Sequence, residues 1–171
     1  MSVLPLTMMD NPVLHQKAKR VRKIDDSIQK LIDDMIETMQ HTGGAAGLAA
    51  PQVGIPLQVV VIELLESGLI TLINPQLVKS SGEREVMEGC LSLPGYRGVI
   101  KRAESVTVKG RDRYGKEVRI KAEGLLAQAL QHEIDHINGI VYVDHLESMD
   151  DLYKAEAEDE DESGRIYEHR P

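Results

Sequence analysis

The chain contains no tryptophan and no phenylalanine, and only five tyrosines. Its interior must therefore be closed with Leu, Ile, Val, Met and Ala, which suit helix stripes and pleated sheets but offer bases no aromatic platform to stack on. At 171 residues, with 42% hydrophobic and 28% charged side chains, one globular core plus an appended segment is expected. Met1 to Thr7 lacks the basic start and apolar stretch of a secretory signal, and no run reaches membrane-spanning length. A cytoplasmic chain without a membrane partner is the expectation.

The net charge of −8 is unevenly placed. Leu146 to Pro171 carries ten acidic and three basic side chains, a net −7, which leaves −1 for the rest. Glu156, Glu158, Asp159, Glu160, Asp161 and Glu162 form a self-repelling run, so the chain divides into a body, 1–148, and an acidic tail, 149–171, partly helical or disordered. Direct nucleic-acid binding is not expected.

Helical spacing is clearest from Asp25 to His41, where Ile28, Leu31, Ile32, Met35, Ile36 and Met39 recur at three- and four-residue intervals. Asp25 or Asp26 can cap this amphipathic helix, and Gly43–Gly44 permits its end. The small-residue stretch Gly43 to Gly54 reads as a binding loop. Leu57–Glu63 and Leu69–Val78 read as strands of an antiparallel meander, bounded by Gly68 or Asn74-Pro75. Ser105–Lys109 and Glu117–Lys121 flank a hairpin turn at Asp112-Arg113-Tyr114-Gly115. A second helix runs from about Gly124 to Ile137, with Gly139 placed to end it. The pattern predicts an α+β fold: antiparallel β-sheets packed around a central helix, with an N-terminal amphipathic helix.

That second helix carries His132-Glu133-Ile134-Asp135-His136, an HExxH match. Residues four apart share one helix face, so the two imidazoles can converge on one ion with Glu133 beside them. Two surface histidines at this spacing are the plainer alternative. A catalytic metal usually takes a third protein ligand and leaves a position for water. Cys90 is one candidate, in the turn-rich segment Glu88-Gly89-Cys90-Leu91-Ser92 before Leu93-Pro94-Gly95, although a lone cysteine is often a small buried hydrophobe. His145 or an acidic residue downstream would instead complete a zinc endopeptidase, and a metal-stabilised binding module would need no Glu133.

Three segments, Ala45-Ala46-Gly47-Leu48-Ala49-Ala50-Pro51-Gln52, Glu88-Gly89-Cys90-Leu91-Ser92 and Gln131-His132-Glu133-Ile134-Asp135-His136, occur in an order and separation that resembles bacterial peptide deformylases. The likeness runs from about Met9 to His145 and includes Asn11-Pro12-Val13-Leu14. It implies that the body is a deformylase-like catalytic domain. It also implies hydrolysis of the N-formyl group from the starting formylmethionine of newly made polypeptides, with release of formate. Cys90, His132 and His136 would hold one divalent metal, ferrous iron first, with zinc, nickel or cobalt compatible with the same ligands. Its bound water would attack the formyl carbonyl with Glu133 as general base and acid, while the Gln52 amide and Leu91 N–H stabilise the reacting oxygen. Gly47 and Gly89 would bring backbone to the substrate, and Ala46, Leu125 and Ala129 would wall a methionine pocket or simply be core. Arg97 would meet the peptide backbone or stay solvated at the surface. Ala45 departs from the family's usual glycine, and Gln128 stands at a pocket-side position where some members are apolar. N-formylmethionyl nascent peptides are the implied partners. Some members dock on the ribosome through a basic terminal helix, which the acidic tail here does not support.

Overall fold

The computed structural model describes residues 2–43, 45–154 and 168–169. Two antiparallel sheets organise the chain. The larger has the order β1 (Gly47–Ala49), β2 (Val59–Leu64), β3 (Gly68–Ser81), β6 (Ser105–Arg111) and β7 (Glu117–Glu123). The smaller is the hairpin β4 (Arg84–Cys90) and β5 (Leu93–Arg102), flanked by the two-residue strands β8 (Tyr153–Lys154) and β9 (Glu168–His169).

Period-two alternation in β2 sends its side chains to opposite faces of the larger sheet. Val59 and Val61, with Ile73 of β3, meet helix α1 (Asp26–His41) through Ile28, Ile32, Met35 and Met39. Val60 and Ile62, with Leu72, Val106 and Val108, meet helix α2 (Gly124–Ile137) through Ala127, Leu130 and Ile134. Ile32, Met35 and Leu130 are fully buried, each contributing about 1.5–3 kcal/mol of apolar burial. Asp25 caps α1, its carboxylate accepting from the backbone of Ser27 and Ile28. Gly43, at φ +65°, follows the helix; Gly44 lies outside the described residues. Gly139, at φ +77°, turns the chain after α2 with its α-carbon packed against the Gln16 backbone.

Several sequence expectations are corrected. Asn74-Pro75 does not bound a strand, because β3 continues to Ser81. Asn74 adopts φ +52° at a register shift against β6, so a bulge absorbs the proline. The stretch from Gly43 to Gly54 is not wholly loop: it holds β1 and a buried 3-10 turn, Ala50–Val53. Cys90 sits at the end of a strand rather than in an extended turn-rich connection, since only Leu91–Ser92 separates it from its partner Leu93. Of the tail, Met149–Asp151 forms a 3-10 turn and Tyr153–Lys154 pairs with Tyr96–Arg97. The acidic run Glu156–Glu162 lies outside the described residues. Among the described residues no helix is long and apolar enough to cross a membrane.

Candidate active site

One face of α2 is apolar and seated on the larger sheet, while its other side presents polar groups to the β4–β5 hairpin. One helical turn separates His132 from His136, so their side chains stack on the same face. Their Nε2 atoms are 3.1 Å apart, with the rings nearly perpendicular. From the other sheet, Cys90 brings Sγ to 3.4 Å from His136 Nε2. All three residues are buried, and their ligand atoms lie within 4.8 Å of one another. A thiol and two imidazole nitrogens converging in a dry site form a donor set suited to a borderline divalent ion such as iron or zinc, and the residues therefore fit the metal that the sequence implied.

The orientation of His132 is enforced from behind. Its Nδ1 donates to Glu88 Oε1 at 2.6 Å, which leaves Nε2 for the cluster. Glu88 is fully buried and also accepts from Arg102 Nη2 at 2.6 Å and Arg102 Nε at 2.8 Å. Burial alone would raise its pKa, but the Arg102 hydrogen bonds and charge, with His132, hold it down to about 2. Arg102 reaches outward to Asp135 Oδ2 at 2.6 Å, and Asp135 meets His145 Nε2 at 2.8 Å. His145 is thus engaged with the ion-pair network and is absent from the Cys90–His132–His136 group, so it does not supply the third ligand that an endopeptidase would need. Burial works against protonation of both imidazoles. The Glu88 carboxylate overcomes it at His132, whereas at His136 the neighbouring His132 charge adds to it.

Glu133 is buried and lies against β1: a Cβ built on Gly47 would stand 2.6 Å from Glu133 Oε2. Gln52 is buried in the 3-10 turn after β1. Its Oε1 accepts from Ala49 N at 2.9 Å, so Nε2 is aimed at Cys90 Sγ, 3.4 Å, and Ser92 Oγ, 3.3 Å. Leu91 occupies the adjoining turn, half-buried, and Gly89 is buried in β4. Hence Gly47, Gln52, Gly89, Cys90, Leu91, His132, Glu133 and His136 are drawn from three distant stretches into one neighbourhood.

The remaining expected residues fare differently. Ala46 and Ala129 are buried members of the core on the α2 side, and Leu125 packs against it partly exposed. Arg97 is 2% exposed in β5, so the solvated alternative is wrong. Gln128, expected at a pocket-side position, is buried and donates to Met87 O at 3.2 Å and Glu88 Oε2 at 3.4 Å. Sequence reasoning overlooked the parts played by Glu88, Arg102, Asp135 and Ser92. Glu88 stands in a quoted motif, but its partner Arg102 is visible only once β4 and β5 are paired. Tyr142, also overlooked, is buried with its ring 26° from the plane of His132 at a centroid distance of 6.4 Å.

The sequence model of the polypeptide deformylases matches residues 3–151. The peptide deformylase of Dehalococcoides mccartyi is 54% identical over 161 residues, 94% of this chain and 96% of the relative. That of Halothermothrix orenii is 52% identical over 145 residues, 84% of this chain and 94% of the relative. Among solved structures, a peptide deformylase from Legionella pneumophila superposes with a TM-score of 0.83 at 45% identity, covering 86% of this chain and 88% of that one. The Ehrlichia chaffeensis peptide deformylase in complex with actinonin gives 0.83 at 41% identity, covering 88% and 92%. Sequence similarity and shared architecture over nearly the whole length agree with the metal-ready helix, and the chain belongs to the polypeptide deformylase family.

Proposed function

We propose that this enzyme hydrolyses the formamide of N-formylmethionyl nascent peptides, releasing formate and a free amino terminus. The observation that carries the reading is the convergence of Cys90 Sγ with the Nε2 atoms of His132 and His136 beside the buried Glu133. A divalent ion held by these three residues would supply Lewis acidity and lower the pKa of water toward neutrality. Ferrous iron is the native ion in this reading, and zinc, nickel and cobalt fit the same donors.

Glu133 takes the proton of the attacking water and delivers it to the departing amine. Charge gathers on the formyl oxygen, where the Gln52 amide and the Leu91 N–H donate, each worth roughly 3–4 kcal/mol by analogy with other such donors. Gly47 and Gly89 let the peptide backbone approach, the β1 edge adding it as a strand. Ala46, Leu125 and Ala129 wall the methionine side chain, and Arg97 supports the peptide main chain from β5. Residues 1–148 are the catalytic domain, with α2 as its central helix and α1 as its N-terminal amphipathic helix, and 149–171 are an acidic tail. The enzyme works in the cytoplasm. The tail's charge gives no support to ribosome docking through it.

A formylmethionyl peptide incubated with the metal-loaded protein releases formate. Glu133→Ala retains the ion and loses that release; an unaltered rate in this variant overturns the assigned mechanism.

A further inference from the structure

The segment preceding the first 3-10 turn has no part in the chemistry above, yet its main chain touches both groups of proposed oxyanion donors. Thr7 N donates to Gln52 O at 2.6 Å, and Met9 N donates to Ser92 O at 2.8 Å. We propose that residues Ser2 to Met9 are a positioning strap that sets the spacing between Gln52 and the Leu91–Ser92 turn. The proposal rests on the roles given to Gln52 and Leu91.

The two donor segments leave different sheets, Gln52 following β1 and Leu91 following β4. Across the gap, Gln52 itself offers only long side-chain contacts, Nε2 to Ser92 Oγ at 3.3 Å and to Cys90 Sγ at 3.4 Å. The strap's main-chain bonds are shorter and directional. Thr7 and Met9 are two residues apart, a span of at most about 7 Å, so this short piece of backbone acts as a spacer between the two carbonyls. Both ends of the strap are moored. Ser2 N donates to Asp34 Oδ1 at 2.7 Å and Leu4 N to Thr38 Oγ1 at 2.9 Å, one turn apart on α1. At the other end, Met9 O accepts from His15 Nε2 at 2.6 Å, next to the fully buried Leu14. Leu4 and Leu6 pack against the core on the α1 side.

The strap acts through Gln52 and Leu91, so its removal should lower turnover rather than substrate affinity. Thr7→Pro deletes the N–H that Gln52 O accepts. A displacement near 1 Å at reacting groups costs on the order of a hundredfold, and a kcat loss between about tenfold and a hundredfold is expected, with KM and metal content unchanged. Coupling separates positioning from general loosening. Thr7→Pro combined with Gln52→Ala loses little beyond Gln52→Ala alone, whereas multiplying losses overturn the strap. Deletion of residues 2–5, which removes the moorings on α1, repeats the kcat effect independently of proline. A readout without turnover is the exchange of the Ala49 amide, which bonds Gln52 Oε1: it accelerates in Thr7→Pro. Wild-type kcat and exchange in Thr7→Pro, with Gln52→Ala still impaired, overturn the strap alone. Full activity in Gln52→Ala overturns the oxyanion reading and the strap with it.

Discussion

The α-carbon of Gly47 is packed against the carboxylate of Glu133 so closely that no side chain fits between them; a Cβ there would meet Oε2 at 2.6 Å and the adjoining carbons at 3.0 Å. Gly47 lacks the positive φ that demands glycine elsewhere in the chain, so its requirement comes from this approach. Gly47→Ala is expected to push Glu133 aside and lower kcat by about tenfold or more. Metal content, measured by elemental analysis on the same sample, stays at the wild-type level. Undiminished turnover would show that Glu133 tolerates the shift.

Arg102 joins the buried carboxylate of Glu88 to the half-buried one of Asp135. Its removal leaves Glu88 charged and without its main partner in a dry site. Arg102→Ala should therefore destabilise the fold by roughly 3–5 kcal/mol in urea unfolding. His132 also loses its fixed orientation, so metal affinity falls by about 10–100-fold. A variant with wild-type stability and affinity would mean that the pair contributes nothing net.

Cys90→Ala leaves two imidazoles from one helix to hold the ion. Competition against a chelator should show markedly weaker binding, because a two-point site lacks the third donor and its charge. Equal occupancy in the variant contradicts the ligand assignment.

Asp34 tethers the amino-terminal strap to α1. Its pKa is lowered by the Lys30 hydrogen bond first and by Ser2 N–H, against the opposing effect of burial. A depressed folded-state pKa contributes stability above the unfolded value near 3.8, lost as pH falls through the folded value. Wild type should thus exceed Asp34→Asn in stability above about pH 4, and the two should converge at lower pH. A constant gap across that range would assign the effect to packing.

How far the sequence could be read differed by element for physical reasons. The α1 stripe is local and was visible in the spacing, which narrowed its cap to Asp25 or Asp26; the structure uses Asp25. The β6–β7 hairpin and the two histidines of α2 were visible as well, because a helical repeat places them without help from the rest of the chain. Strands β4 and β5 were harder: Arg84, Glu85, Glu88, Arg97, Lys101 and Arg102 give them a density of charge that looks like surface. Glu88, Arg97 and Arg102 are instead buried, Glu88 and Arg102 against each other across the hairpin, a relationship that depends on register. Asn74-Pro75 misled because a proline normally ends a ladder, whereas here the bulge beside it lets β3 continue. Cys90 was recognisable as a candidate ligand only through its motif; nothing in local periodicity brings it to α2.

The sulfur at the end of β4 and the two rings on α2 are separated by some forty residues of chain. An ion gripping all three would be a cross-link as well as a reagent, clamping the smaller sheet to the helix as a bridge between distant cysteines does. Because the unfolded chain has no such grip, resistance to heat and proteases should track the free ion, gaining about 2.7 kcal/mol when it stands at a hundred times its dissociation constant. Starving a cell of that ion would then shorten the lifetime of the enzyme as well as idle it.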